Sequence, residues 1–169
     1  MYQIISRYID ICKFKIAPQD IPYSKFLLLI TLIAYFIGSV ILSLFEWSLV
    51  KSVVVGLMDL SLIAGLSYMI LWIRLSTERY VQTLTALAGS GAILDLVGIP
   101  IFLLQYNVDS GPFVLELVIW VWVFWNMAVF GHVLRHALST TMFTGAMLSL
   151  LYFFISFSML NTFFLSTMK

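Results

Sequence analysis

Residues 25–45 read KFLLLITLIAYFIGSVILSLF. After Lys25 the run carries no charge, so a helix built from it has no face suited to water. At 1.5 Å per residue, 21 residues make a helix of about 31 Å, the thickness of a bilayer's hydrocarbon core. Runs of the same kind follow at about 52–73, 81–105, 113–133 and 141–165. Across all 169 residues, 62% are hydrophobic and 10% charged, against roughly 25% charged in an average soluble domain. A water-soluble globule of this size exposes too much of its surface to hide that excess. The expected fold is an all-α membrane protein, a bundle of five transmembrane helices preceded by a short amphipathic N-terminal helix.

That first segment, MYQIISRYIDICKFKI at 1–16, is too polar to span a membrane. Ile5, Tyr8, Ile9, Cys12 and Ile16 recur at helical spacing, with Arg7, Asp10 and Lys13 on a polar face. The pattern predicts a helix lying on the membrane surface or packing beneath the bundle. Pro18 and Pro22 then break it before the first span. Residues 1–24 are thus an amphipathic segment and 25–169 a single membrane domain. No continuous apolar signal core is visible in the first 24 residues, so the first span itself is expected to direct insertion.

Basic residues set the expected orientation. In a five-span chain Arg7, Lys13, Lys15, Lys25, Arg74, Arg79 and Arg135 fall on one side, and only Lys51 and Lys169 on the other. The positive-inside rule puts the first group, and the N-terminus, in the cytoplasm and the C-terminus outside. A net charge of +1 gives no reason to expect nucleic acid as a partner. The lone Cys12 can form no intrachain disulfide and no cysteine metal site.

Acids inside the apolar runs are the most informative features. Asp59, in GLMDLSLIAG, and Asp95, in GSGAILDLVGIP, each lie 14 residues from the basic end of their spans. Both therefore sit at about 21 Å along consecutive antiparallel helices. A charged side chain this deep costs at least about 2.5–3.5 kcal/mol, so each acid needs a partner, a proton or water. Two readings remain open: a proton or cation site, or carboxyls that hold the helices in register. Glu116 lies near the far boundary and is a weaker candidate. AGSGA at 88–92, with Gly89 and Gly91, allows close helix contact. Gly98 and Pro100 are expected to weaken or kink the same helix. Arg74, Arg79, His132, Arg135 and His136 form a candidate cytoplasmic interface. HVLRH at 132–136 lacks the glutamate of the HExxH zinc pattern, so no metal is expected. Trp120, Trp122 and Trp125 are expected to fill volume, and Ser149, Ser156 and Asn161 to bond between helices. There is no GxSxG, no phosphate-gripping loop and no acidic metal cluster, so neither an enzyme nor a cofactor is expected.

From STERYVQTLTALAGSGAILDLVGIP, through a tryptophan-rich span, to FGHVLRHALSTTMFTGAMLSLLYFF, the chain resembles bacterial Yip1-domain membrane proteins over about residues 76–165. The resemblance implies five spans, a cytoplasmic N-terminus and a bacterial inner membrane, and it supplies no catalytic residue. The function it suggests is non-enzymatic, through membrane lipids, a membrane-protein partner or a second copy of the chain. The alternative is a small proton- or cation-coupled transporter or channel using Asp59 and Asp95.

Overall fold

The computed structural model describes residues 2–108 and 113–166; of Tyr2 and 164–166 only the backbone is described. Residues 109–112, most of the NVDSGP turn, and Lys169 lie outside the described residues. Six α-helices follow one another: α1 (Tyr2–Cys12), α2 (Lys25–Ser43), α3 (Leu49–Ile73), α4 (Tyr80–Asn107), α5 (Phe113–Ala137) and α6 (Met142–Ser166). Helices α2 to α6 are long and apolar enough to cross a membrane, and their bounds follow the apolar runs closely.

The packing is inverted relative to a soluble domain. Along α2 the inward positions are Thr31, Tyr35 and Gly38, while Phe26, Leu29, Ile33 and Ile37 face outward, Phe26 at 72% exposure. In α4 every residue from Thr83 to Ser90 is buried, and six of the eight are Thr, Ser, Ala or Gly, with Gly91 and Ala92 following. Large apolar side chains turned outward over small and polar ones are stable only where the surrounding solvent is apolar. The small hydroxyls satisfy themselves locally: Thr31 donates to the Leu27 carbonyl at 3.0 Å, Thr83 to Arg79 at 2.8 Å and Ser90 to Ala86 at 2.7 Å.

Helix α4 is the hub, touching α1, α2, α3 and α5; α6 closes the ring by packing on α5 and α3. Close approaches occur where glycines permit them. A Cβ built on Gly145 would lie 2.4 Å from the Gly131 carbonyl oxygen, so α5 and α6 meet backbone to backbone. Gly98 makes room for Trp122, whose Nε1 donates to the Leu94 carbonyl at 2.9 Å. The helix runs unbroken through Pro100 to Asn107. Gly98 therefore acts as a seat for an indole, and α4 is not an interrupted helix.

Helix α1 stops at Cys12, four residues short of the predicted end. Phe14 adopts a left-handed conformation (φ 60°) and the Lys15 amide returns to the Asp10 carbonyl at 2.9 Å, a Schellman closure. The face that docks is also rotated from the predicted one. Tyr8, Ile11 and Cys12 are buried against α4 and α5, whereas Ile5 and Ile9 face outward. Tyr8 lies on Gly89, the Cys12 thiol meets the Ser90 carbonyl at 3.7 Å, and Trp125 Nε1 donates to the Cys12 carbonyl at 2.9 Å. The segment beyond it is tied down as well: Gln82 donates to the Ile21 carbonyl at 2.9 Å, and Asp20 accepts the Ala17 amide at 2.8 Å. The amphipathic segment is thus a docked part of the bundle, seated on its flank with apolar side chains on both sides of its contact.

Candidate functional site

The two aspartates open on one cavity of about 210 Å³. All five long helices contribute to its wall: Tyr35 and Ser39 from α2, Asp59 from α3, Asp95 from α4, Asn126 from α5, Tyr152 and Ser156 from α6. A neighbouring space of about 110 Å³ shares Ser39, Asp59 and Ser156 and leads between Met58, Leu62 and Met159. Asp59 therefore forms part of the wall between the two. The equal depth of the acids along antiparallel helices, read from sequence spacing, is what brings them to the same chamber.

Their surroundings differ. Tyr35 donates its hydroxyl to Asp59 Oδ2, and Tyr152 donates to Oδ1. One phenol thus serves each oxygen of the carboxyl, and the Tyr152 ring is held in place by stacking on Phe130 at 4.3 Å. Asp95 sits against Gly38, where an added Cβ would lie 2.8 Å from Oδ2. That oxygen is buried and has no hydrogen-bond partner. A buried carboxyl oxygen left unpaired is costly, and a proton, a cation or a water that reached it would remove the cost.

Tyr35 and Tyr152 were not among the candidates drawn from the sequence. Their signal was position: each lies well inside an apolar run, whereas membrane tyrosines favour the interfaces, where the hydroxyl meets water. A phenol at mid-span needs an internal partner.

The remaining candidates fall elsewhere. Glu116 is exposed in the first turn of α5 and lines neither space. Gly89 and Gly91 allow the expected close contact of α4 with α1 and α2, and each does so by admitting a tyrosine ring, Tyr8 and Tyr35 respectively. Arg79 caps α5 by donating to the Ala137 carbonyl at 3.3 Å and to Ser139 Oγ at 3.1 Å, while Arg74 is exposed at the end of α3. His132 donates through Nε2 to the Ile16 carbonyl at 3.0 Å, and Arg135 donates to His136 Nε2 at 3.1 Å. Two of the five interface candidates, Arg79 and His132, therefore tie the bundle to a helix end or to its N-terminal segment, while Arg135 and His136 bond each other. Ser149 bonds across to the Met127 carbonyl at 2.7 Å, as expected of it, whereas Asn161 is exposed. Trp122 and Trp125 do more than fill space, since each bonds a neighbouring backbone.

No family model, curated protein or solved structure matches this chain.

Proposed function

We propose that the chain is a non-enzymatic multi-pass membrane protein that takes up a proton or a small monovalent cation in its central cavity and passes it across the bilayer. One observation carries this reading: Asp59 and Asp95 line a single chamber that also holds Ser39, Asn126 and Ser156, with one oxygen of Asp95 left unpartnered. Intramembrane acids of this kind are expensive, and carboxyls facing a cavity suit ion pathways better than carboxyls sealed by their neighbours. Asp59, held by two phenols, would be the fixed member, and Asp95 the member that exchanges its occupant. The positive-inside bias supports a cytoplasmic basic end, with a bacterial inner membrane as the setting.

The test is flux. Full-length protein in liposomes carrying an internal pH-sensitive or cation-sensitive dye should dissipate a proton, Na⁺ or K⁺ gradient. Asp95→Asn should return the rate to that of empty liposomes while the melting temperature is kept. Equal rates with and without protein for all three ions would sink the proposal.

A second reading follows from the resemblance to Yip1-domain proteins: action through membrane-protein or lipid contacts. The docked α1 favours it, because it leaves exposed Arg7, which donates to the Asp20 carbonyl, and Lys13 just past its end. Photocrosslinkers placed at Arg7 and Lys13 should then capture a discrete membrane partner, a lipid or a second copy. Capture no better than from Lys51, at the opposite end, would argue against it.

A further inference from the structure

A second concavity lies on the outer face of the bundle. It is a groove of about 680 Å³ between α5 and α6, walled by Phe124, Ala128, Met142 and Ala146, with Phe14 at its rim and Arg135 at one end. The alanines and Gly131 keep its floor low, and the larger walls stand exposed, Phe124 at 61% and Met142 at 73%. From Phe124 to Arg135 the groove follows α5 for 11 residues, about 16 Å, which is the depth of one leaflet's hydrocarbon.

Its polar end is built differently. Arg135 passes over Gly145, where an added Cβ would lie 2.8 Å from Arg135 Cβ. Its guanidinium gives one nitrogen to His136, but Nε is buried with no partner. The Thr140 hydroxyl is likewise buried without a partner, and the Thr140 amide bonds the Arg135 carbonyl at 2.9 Å. Lys13 and Lys15, the chain neighbours of Phe14, are both exposed. Asp20, an acid of this end, spends one carboxylate oxygen on the Ala17 amide.

We infer that this groove binds an anionic phospholipid of the leaflet at the basic end, with an acyl chain along α5 and α6 and the headgroup phosphate on Arg135. An apolar trough one leaflet deep that ends in a guanidinium matches that molecule in length, polarity and charge. A second copy of the chain fits less well, because covering the groove with protein would bury the guanidinium against apolar surface without an anion. The inference is independent of the central cavity.

Native mass spectrometry of the detergent-purified full chain, titrated with phosphatidylglycerol or phosphatidylcholine of identical chains, tests it. Phosphatidylglycerol should bind at least about fivefold more tightly, the effect of one well-placed basic residue at a membrane surface. Arg135→Gln should remove that preference while choline-lipid binding persists. Ala146→Phe, which fills the trough, should weaken both lipids. Lys25→Gln, a cation outside the groove, should change neither. Equal binding of the two lipids by the wild type, or a preference that survives Arg135→Gln, means ordinary annular lipid and overturns the site. So does a dimer that crosslinks through Ala146→Cys and excludes lipid. If the arginine variant fails to fold, the alanine variant decides: undiminished lipid binding by a filled groove rejects the inference.

Discussion

Gly89 and Gly91 stand two residues apart on α4, on different faces, and each receives a tyrosine ring. A Cβ on Gly89 would lie 2.3 Å from the Tyr8 ring, and one on Gly91 would lie 2.6 Å from the Tyr35 ring. The shape solution is the same, but the chemistry of the two flanks is not. On the α1 side the Tyr8 hydroxyl is buried with no partner, and burial pushes it up to about 12. On the α2 side the Tyr35 hydroxyl donates to Asp59 beside the cavity. One flank is a dry joint that fastens the N-terminal helix; the other is a polar site that uses its phenol. A small-residue stretch in a membrane helix thus reveals where rings can seat, and only the partner of the ring's polar end separates scaffold from site.

The largest effect is expected from blocking the dry joint. Gly89→Leu drives a side chain into the Tyr8 ring, and overpacking of this kind typically costs about 1–3 kcal/mol, enough to release a short docked helix. Cys12, the chain's single cysteine, reports the release. In the docked state it is 4% exposed, and burial pushes its thiol up to about 11. The reactive thiolate at pH 8 is then on the order of a hundredfold scarcer than in a free cysteine. Maleimide labelling should be correspondingly slow in the wild type and approach the free rate in Gly89→Leu. Fast labelling of the wild type would mean that α1 is not held here. On the other flank, Tyr35→Phe keeps the ring on Gly91 and removes one of the two donors to Asp59. An ordinary hydrogen bond contributes about 0.5–1.5 kcal/mol net, so unfolding in mixed detergent should show a loss of that order. No loss would place Asp59 in the same dry class as Tyr8.

How much of this was legible follows from what each residue's partner is. Apolar runs without charge fix helices by solvation alone, so α2 to α6 could be placed from residues 25–45 and the four later runs. The shared depth of Asp59 and Asp95 came from counting along antiparallel helices, because rise per residue converts sequence distance into height. Azimuth did not come the same way. The expected face of α1 holds for Tyr8 and Cys12 and fails for Ile5 and Ile9, which are as apolar as Ile4 and Ile11, because in a membrane both faces find apolar surroundings. Hydrophobicity therefore loses its power to mark the inside of a helix once lipid is the solvent. For the same reason Gly131 and Gly145, which meet backbone to backbone, carried no signal apart from being small. The clamp on Asp59 by Tyr35 and Tyr152 joins residues 24 and 93 positions apart, and no local spacing records it.

The smallest effect is the sharpest test of the difference between the two tyrosines. Tyr8→Phe keeps every ring contact with Gly89 and deletes only a hydroxyl that has no partner. Removing a buried, unsatisfied polar group is nearly neutral or stabilising, so the change in unfolding free energy should stay within about 0.5 kcal/mol or rise. Cys12 labelling should remain slow, since the joint depends on shape. A loss as large as that of Tyr35→Phe would show that the Tyr8 hydroxyl has a partner, such as an ordered water within the α1 contact. The α1 flank would then be wet, and the line drawn along α4 between a sealed joint and a polar site would have to be moved outward to include α1.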